Sequence, residues 1–244
     1  MGNSVDKASK KLLLNRLKRT ESWQLVFVGL FTSLLAFFVL LISLVEIEGV
    51  RPERDYQRLI HTLTEEVLHS KESLGLSWLH VENTFSKGIK LTMSPSLFEN
   101  KSLFEPARGK INPRFLPYLN RISDLLVELD LPGVPDRYRK WVSSQHRSDE
   151  RFQISVRVEG HTDAHPLAPT AMYRDNIALS SVRAWAIMNY VRIRSRLPES
   201  QFVIAGYGAQ EPVVNDPYSP VNRRVEIYLQ PENVPVPTTS KEVR

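Results

Sequence analysis

The sequence contains no cysteine, which removes disulfides, thiolate zinc sites, iron–sulfur clusters and any cysteine nucleophile from consideration. It also lacks a distributed charge surplus. The formal charge is +5, but residues 1–22 hold six Lys or Arg (Lys7, Lys10, Lys11, Arg16, Lys18, Arg19) against Asp6 and Glu21. That tail accounts for +4, which leaves +1 for the other 222 residues and no domain-wide basic face for nucleic acid. From Ser22 to Val45 there is no ionisable side chain at all. About 20 such residues at a rise of about 1.5 Å cross a hydrocarbon core, so residues 22–46 are expected to form a transmembrane helix. The span runs on into Val45-Glu46-Ile47-Glu48 without a small-residue cleavage site, as in an uncleaved anchor. The basic tail, residues 1–21, is expected in the cytoplasm and everything after about residue 48 on the far side.

What is present suits one ordinary core with appendages: 42% of the 244 residues are apolar and 24% charged. Residues 47–75 are expected to be a linker containing a separate amphipathic helix, Arg51 to Ser73, with Pro52 in its first turn. Leu59, Ile60, Leu63, Val67 and Leu68 form a stripe on it. The stripe needs a partner: the globular domain, a membrane surface or the same helix of a second copy. Trp78 to Thr84 and Ile89 to Met93 flank Ser86-Lys87-Gly88 as two strands around a tight turn. Residues 113–130 place Phe115, Leu119, Ile122, Leu125, Leu126 and Leu129 on one helical face. Residues 131–150 break both periodicities and read as an inserted surface loop. Phe152 to Glu159 alternates as a strand, Asn176 to Arg194 is helical, and Gln201 to Tyr207 and Arg224 to Leu229 are strands. Residues 231–244 read as a loose tail. The expected fold is α+β: a transmembrane helix, then a two-layer βαβαββ sandwich over residues 76–230.

Four motifs stand in order: Gly160-His161-Thr162-Asp163 at a strand exit, Asn176 to Ala184 (NIALSSVRA) at a helix start, Gly206-Tyr207-Gly208, and Asn222 to Ile227 (NRRVEI). This chain therefore resembles the OmpA-like peptidoglycan-binding domain, over residues 88–230. The stretch 103–126 is similar to that family's first phenylalanine-containing loop and helix. The resemblance implies a site for the peptidoglycan stem peptide centred on meso-diaminopimelate, whose side-chain end is a zwitterion. Asp163 and Arg183 stand where the family pairs a carboxylate with the ammonium and a guanidinium with the carboxylate. A guanidinium can hold a carboxylate bidentately, which lysine cannot. Thr162, Asn176 and Arg224 occupy neighbouring motif positions as supporting contacts. Asn176 equally suits a helix cap, and Arg223 and Arg224 equally suit stitching of the last strand to a loop.

His161 and His165 bracket Asp163, but a strand exit and Pro166 argue for a loop rather than a helical pair of metal ligands. His161, Asp163 and Ser180 form no positioned hydrolytic motif, so neither a metal nor a cofactor nor an enzymatic activity is expected.

The single span joined to such a domain resembles MotB, the peptidoglycan-anchored half of bacterial stators. Aligned without gaps from Trp23, the family's transmembrane aspartate falls on Gly29, and Ala36-Phe37-Phe38 matches the flank. Ion relay needs a titratable carboxylate within the span, and Thr32 and Ser33 cannot replace one. Gly29 fits either close helix packing or an ordinary substitution. The expected function is an inner-membrane, single-pass protein whose periplasmic domain binds peptidoglycan non-covalently and tethers a membrane complex to the wall. A homodimer and a MotA-type polytopic membrane protein are the expected partners. The alternatives are an ion-driven stator subunit whose partner supplies the titratable group, and an envelope or secretion-system scaffold.

Overall fold

The computed structural model describes residues 2–98, 102–142 and 150–235. It divides into two units, Met1–Glu53 and Arg54–Arg244. The first is helical, the early part of α1 (Gly2–Ser73), and contains one stretch long and apolar enough to cross a membrane, Trp23–Leu44. The only polar side-chain bonds described in this stretch are local. Thr32 Oγ1 donates to the carbonyls of Val28 at 2.9 Å and Gly29 at 3.0 Å, which satisfies a hydroxyl inside an apolar helix. A methyl group at Gly29 would meet nothing within 4 Å.

In the second unit, strands β1 (Leu79–Thr84), β2 (Gly88–Met93), β3 (Glu150–His161), β4 (Phe202–Gly208) and β5 (Val225–Pro235) form one sheet in the order β1-β2-β5-β3-β4. All pairings are antiparallel except β3 with β4. That parallel pair is connected through α5 (Asn176–Ser195), as a parallel pair must be by a crossover. Alternation splits β3 between two environments. Phe152, Ile154, Val156 and Val158 enter the core beneath α5 and α2 (Leu116–Glu128), while Gln153, Ser155, Arg157, Glu159 and His161 take the opposite face. The α+β expectation and its element order hold.

Three boundaries differ from the sequence reading. No separate helix starts at Pro52; the backbone is helical through it. The stripe's partner is the domain itself: Leu59, Ile60, Leu63 and Val67 belong to the same core cluster as Leu125, Leu131 and Val134. The stripe accordingly supplies no argument for self-association. Residues 131–142 are not a surface loop but short turns, a 3-10 turn at Leu131–Gly133 followed by α3 (Val134–Arg137) and α4 (Arg139–Val142). Leu131, Val134 and Val142 are buried, though each turn is too brief to register as a helical period. Glu66 of α1 accepts from Tyr138 Oη and lies 3.4 Å from Arg137 Nη2, which ties this segment to the helix. Burial and that bond push the Tyr138 phenol up to about 12. Residues 143–149 lie outside the described residues, as do residues 236–244 of the expected tail.

The third correction is that 231–235 continue β5 and pair with 150–154 of β3. Pro231 and Pro235 are tolerated in it because β2 pairs with β5 only at Ile227–Leu229, so beyond it β5 is an edge strand, where a missing N–H costs little.

Because the α1 stripe is a full part of the core, Leu63→Ala should lower the unfolding free energy of the full chain in detergent by about 2–5 kcal/mol. Denaturant titration checks this, and a loss below about 1 kcal/mol would mean that α1 is only loosely applied to the domain.

Candidate functional site

The site is built where β3 and β4 leave the sheet beside the first turns of α5. Helix and strands come unusually close there because two positions carry no side chain. A Cβ on Gly160 would stand 2.2 Å from the carbonyl oxygen of Ser180, and one on Gly206 would stand 2.1 Å from Ser181 Oγ. Neither gap admits alanine. Ser180 uses the proximity: its Oγ donates to Ile177 O at 2.9 Å and accepts from Gly208 N at 2.9 Å. That hydroxyl ties the helix start to the strand end.

Asp175, not Asn176, caps α5, accepting from Ala178 N at 2.8 Å; this bond and Arg174 hold its carboxyl below the ordinary range. Asn176 Nδ2 instead donates to the carbonyls of Asp163 at 3.3 Å and His165 at 3.0 Å. It thereby fastens the strand-exit loop to the helix. Thr162 N donates to Gly208 O at 2.8 Å and Ala164 N to Pro217 O at 2.9 Å, which fixes the loop from its other side.

A cavity of about 300 Å³ opens beside this loop, lined among others by Thr162, Asp163, His165, Asn176, Arg183 and Arg223. Asp163 is 6% exposed, and its Oδ2 takes Arg223 Nη1 at 2.7 Å and His165 Nδ1 at 3.2 Å. Arg183 is equally buried but has no carboxylate within 4 Å among the described residues. Its Nε donates to the Arg108 carbonyl at 3.2 Å and its guanidinium lies 5.0 Å from the centre of the Phe104 ring. Burial pulls its pKa down, as does the charge of Arg223, against the opposing pull of Asp163. Thr162 Oγ1 is buried without a hydrogen-bond partner among the described residues.

The loop 103–111 reaches the cavity at Ala107. Phe104 bridges Ile111, Glu105 N donates to Lys110 O at 3.0 Å, and Ala107, which lines the cavity, is left-handed at φ +53°. A non-glycine residue held there is a local strain that the loop's hydrogen bonds sustain.

Of the residues expected at the site, Thr162, Asp163, Asn176 and Arg183 converge on this cavity and Arg224 does not. Arg224 Nε binds Glu226 at 2.8 Å and its Nη1 donates to Glu211 O at 3.2 Å, the stitching role. Its neighbour Arg223 and the lining residues Ala107, Leu167 and Leu179 are among those that sequence reasoning did not place at the site. His165 entered it only as a metal ligand. The phenylalanine-containing loop was recognised there, but no spacing told which of its residues would close over Arg183.

Below the site, on the polar face of the sheet, Glu159, His161 and Glu226 bring three metal-binding atoms within 4.8 Å of one another. The carboxylates are already matched to protein cations. Glu159 takes Lys87 at 3.0 Å and Arg157 at 2.6 Å, and Glu226 takes Arg224. Three cations against two carboxylates make this a poor home for a dication. Burial alone would raise Glu226, but the His161 ring 3.6 Å away and bonds from Arg224 and Tyr228 hold it well below the carboxylate range, and the Tyr228 phenol is raised in turn.

Residues 139–225 match the model of the OmpA family. The uncharacterized protein YtxE of Bacillus subtilis is 23% identical over 240 residues, covering 86% of this chain and 89% of its own length. Among solved structures, a putative MotB-like protein from Desulfovibrio vulgaris aligns with a TM-score of 0.52 at 19% identity, over 75% of this chain and 100% of its own. The periplasmic domain of Helicobacter pylori MotB aligns with a TM-score of 0.43 at 23% identity, over 63% and 80%. The likeness to the OmpA family is thus confined to residues 139–225, and the chain shares its fold with the Desulfovibrio protein.

A carboxylate held low contributes stability that is complete above its unfolded value of 4.5 and is lost as pH falls below it. Glu226→Gln should therefore cost on the order of 3 kcal/mol at pH 7 and flatten the fall in stability between about pH 5 and pH 2. Thermal midpoints across that range are the check; parallel curves for the two proteins would refute it.

Proposed function

From an OmpA domain joined to a helix of membrane-spanning length, we propose that this protein is a single-pass membrane anchor whose outer domain binds peptidoglycan non-covalently. It thereby ties a membrane complex to the cell wall. The observation that carries the reading is one cavity holding Asp163 and Arg183 together, each buried, with Thr162 Oγ1 unsatisfied between sheet and helix. A zwitterionic amino-acid end, as on the diaminopimelate of a stem peptide, fits that pair. Its ammonium meets Asp163 and its carboxylate meets the N–H groups that Arg183 does not spend on Arg108. Burial of both groups makes the match selective, since each charge lacks water to replace a missing partner. Asn176 acts indirectly by holding the Asp163 loop, and Arg224 belongs to the scaffold.

The basic N-terminal tail belongs in the cytoplasm and the OmpA domain on the outer side of the cytoplasmic membrane. The complex that it tethers consists of a second copy and a polytopic membrane protein of the MotA type. Between Trp23 and Leu44 no side chain titrates, and Gly29 stands where an acid would serve ion relay. Anchoring rather than ion conduction is thus the role of this chain, and attachment rather than catalysis is the role of its cavity.

Asp163→Ala and Arg183→Ala should each weaken binding of a diaminopimelate-containing muropeptide by about 1–3 kcal/mol, roughly 5- to 150-fold, by calorimetry on the full chain in detergent. Unchanged affinity in both folded variants would remove the assignment.

A further inference from the structure

Two nitrogen groups of the chain already stand on the carboxylate that the ligand's ammonium is to meet. Oδ2 of Asp163 takes Arg223 Nη1 at 2.7 Å and His165 Nδ1 at 3.2 Å. They differ in what can be undone. A guanidinium keeps its charge wherever a protein stays folded, whereas an imidazole ordinarily changes charge between about pH 5 and pH 8. Of the two, His165 is the cation that can be switched off.

We propose that His165 decides whether Asp163 accepts an ammonium: charged, it stands in for the ligand on the carboxylate, and neutral, it yields the place, so that the stem peptide is bound more tightly as pH rises. This rests on the stem-peptide reading above. The sign follows from the contact. Imidazolium and ammonium carry the same charge and share one buried carboxylate, so each weakens the hold of the other at close range. The ligand's carboxylate goes to Arg183, which has no hydrogen bond to His165 among the described residues, so the extra positive charge helps there less than it harms at Asp163.

The ring can leave without disturbing the site. Its backbone is held, since Asn176 Nδ2 of α5 donates to His165 O at 3.0 Å. Its side chain is 62% exposed and meets the Tyr218 ring edge-on, with centroids 5.1 Å apart. Tyr218 is fixed in turn: its N donates to Asp216 Oδ1 at 3.0 Å, on a loop whose Pro217 O accepts from Ala164 N at 2.9 Å. The imidazole therefore pivots between a carboxylate and solvent beside a stationary aromatic edge. The charged and titratable groups around it are Asp163 on its own loop, Arg183 from α5, and Asp216, Tyr218 and Arg223 from the loop before β5. From the loop 103–111, Arg108 turns its guanidinium to Glu105 at 3.7 Å. Among these kinds of side chain, histidine alone ordinarily changes charge in that range. His161 lies apart, stacked on Tyr207 at 5.3 Å on the polar face of the sheet, and serves as the internal comparison.

The probe is the tripeptide L-alanyl-γ-D-glutamyl-meso-diaminopimelate, whose amines and carboxylates keep their charges from about pH 5.5 to about pH 8. Calorimetry on the full chain in detergent compares the unsubstituted protein with His165→Gln and His165→Lys, each first shown to keep its thermal midpoint at both ends of that range. The unsubstituted protein should bind about fivefold or more tightly at about pH 8 than at about pH 5.5. His165→Gln should change less than about twofold, and His165→Lys, whose charge is permanent, should bind more weakly than His165→Gln at both ends. By reciprocity, binding to the unsubstituted protein near pH 6.5 should release protons, read from the dependence of the heat on the buffer's ionisation enthalpy, and binding to His165→Gln should release none. An affinity that is flat or falls as pH rises, a slope that persists in His165→Gln and so belongs to His161 or another group, or a lysine as tight as the glutamine overturns the proposal and leaves the stem-peptide reading standing. If the variants lose their midpoints, the proton count of the unsubstituted protein decides, and a count of zero overturns the proposal. If the unsubstituted protein binds the peptide at neither pH, the stem-peptide reading falls and takes this one with it.

Discussion

The approach of α5 to the ends of β3 and β4 is the constraint on which the rest of the molecule's chemistry depends. Gly160 and Gly206 let helix backbone and strand backbone meet at distances that any side chain would prevent. Ser180 then ties the two with a hydrogen bond to Gly208. Once the helix start is pinned there, Asn176 reaches the strand-exit loop, and Arg183, two turns along, comes to the same hollow as Asp163. A helix one side chain farther away would keep every element of the fold and separate the two charges.

Among the described residues three buried carboxylates, Glu159, Asp163 and Glu226, sit beside guanidiniums, and exposure of the partner separates them. Glu159 and Glu226 sit on the polar face of the sheet with Lys87, Arg157, Arg224 and two tyrosines closing over them. They are sealed, fully matched and therefore structural. Asp163 is just as buried, but its partner Arg223 is nearly half exposed and one of its oxygens stays open. Matching at this third pair is thus incomplete on both sides.

Much of this was legible in the sequence, for reasons that lie in particular residues. Long apolar periods announced the span and the helices at 113–130 and 176–194, and alternation announced β3 and the start of β5. Short motifs, one at a strand exit and one at a helix start, singled out Asp163 and Arg183, which the fold brings to one cavity. Legibility failed where context overrides local pattern. Pro231 and Pro235 look like breakers until the strand beside them is known to have stopped. Leu131, Val134 and Val142 fill the core from turns too brief to show a period. Arg223 and Arg224 are adjacent and chemically alike, and only the placement of Glu226 and Asp163 sends them apart. The stripe on α1 was visible, but the identity of its partner was not, because an apolar face does not encode what covers it.

That stripe has a mechanical meaning under the function proposed above. For the proposed tether, tension entering the domain must meet something that resists it. Here tension would enter at residue 54 along a helix whose Leu59, Ile60, Leu63 and Val67 are set into the domain's interior, with Glu66 fastened to Tyr138 and Arg137. Force directed along such a helix must slide several side chains out of their seats together, whereas a surface-attached linker would peel one contact at a time. The element that leads into the domain is also its strain relief, and the first event under overload would be loss of the domain's own interior packing rather than release of a strap.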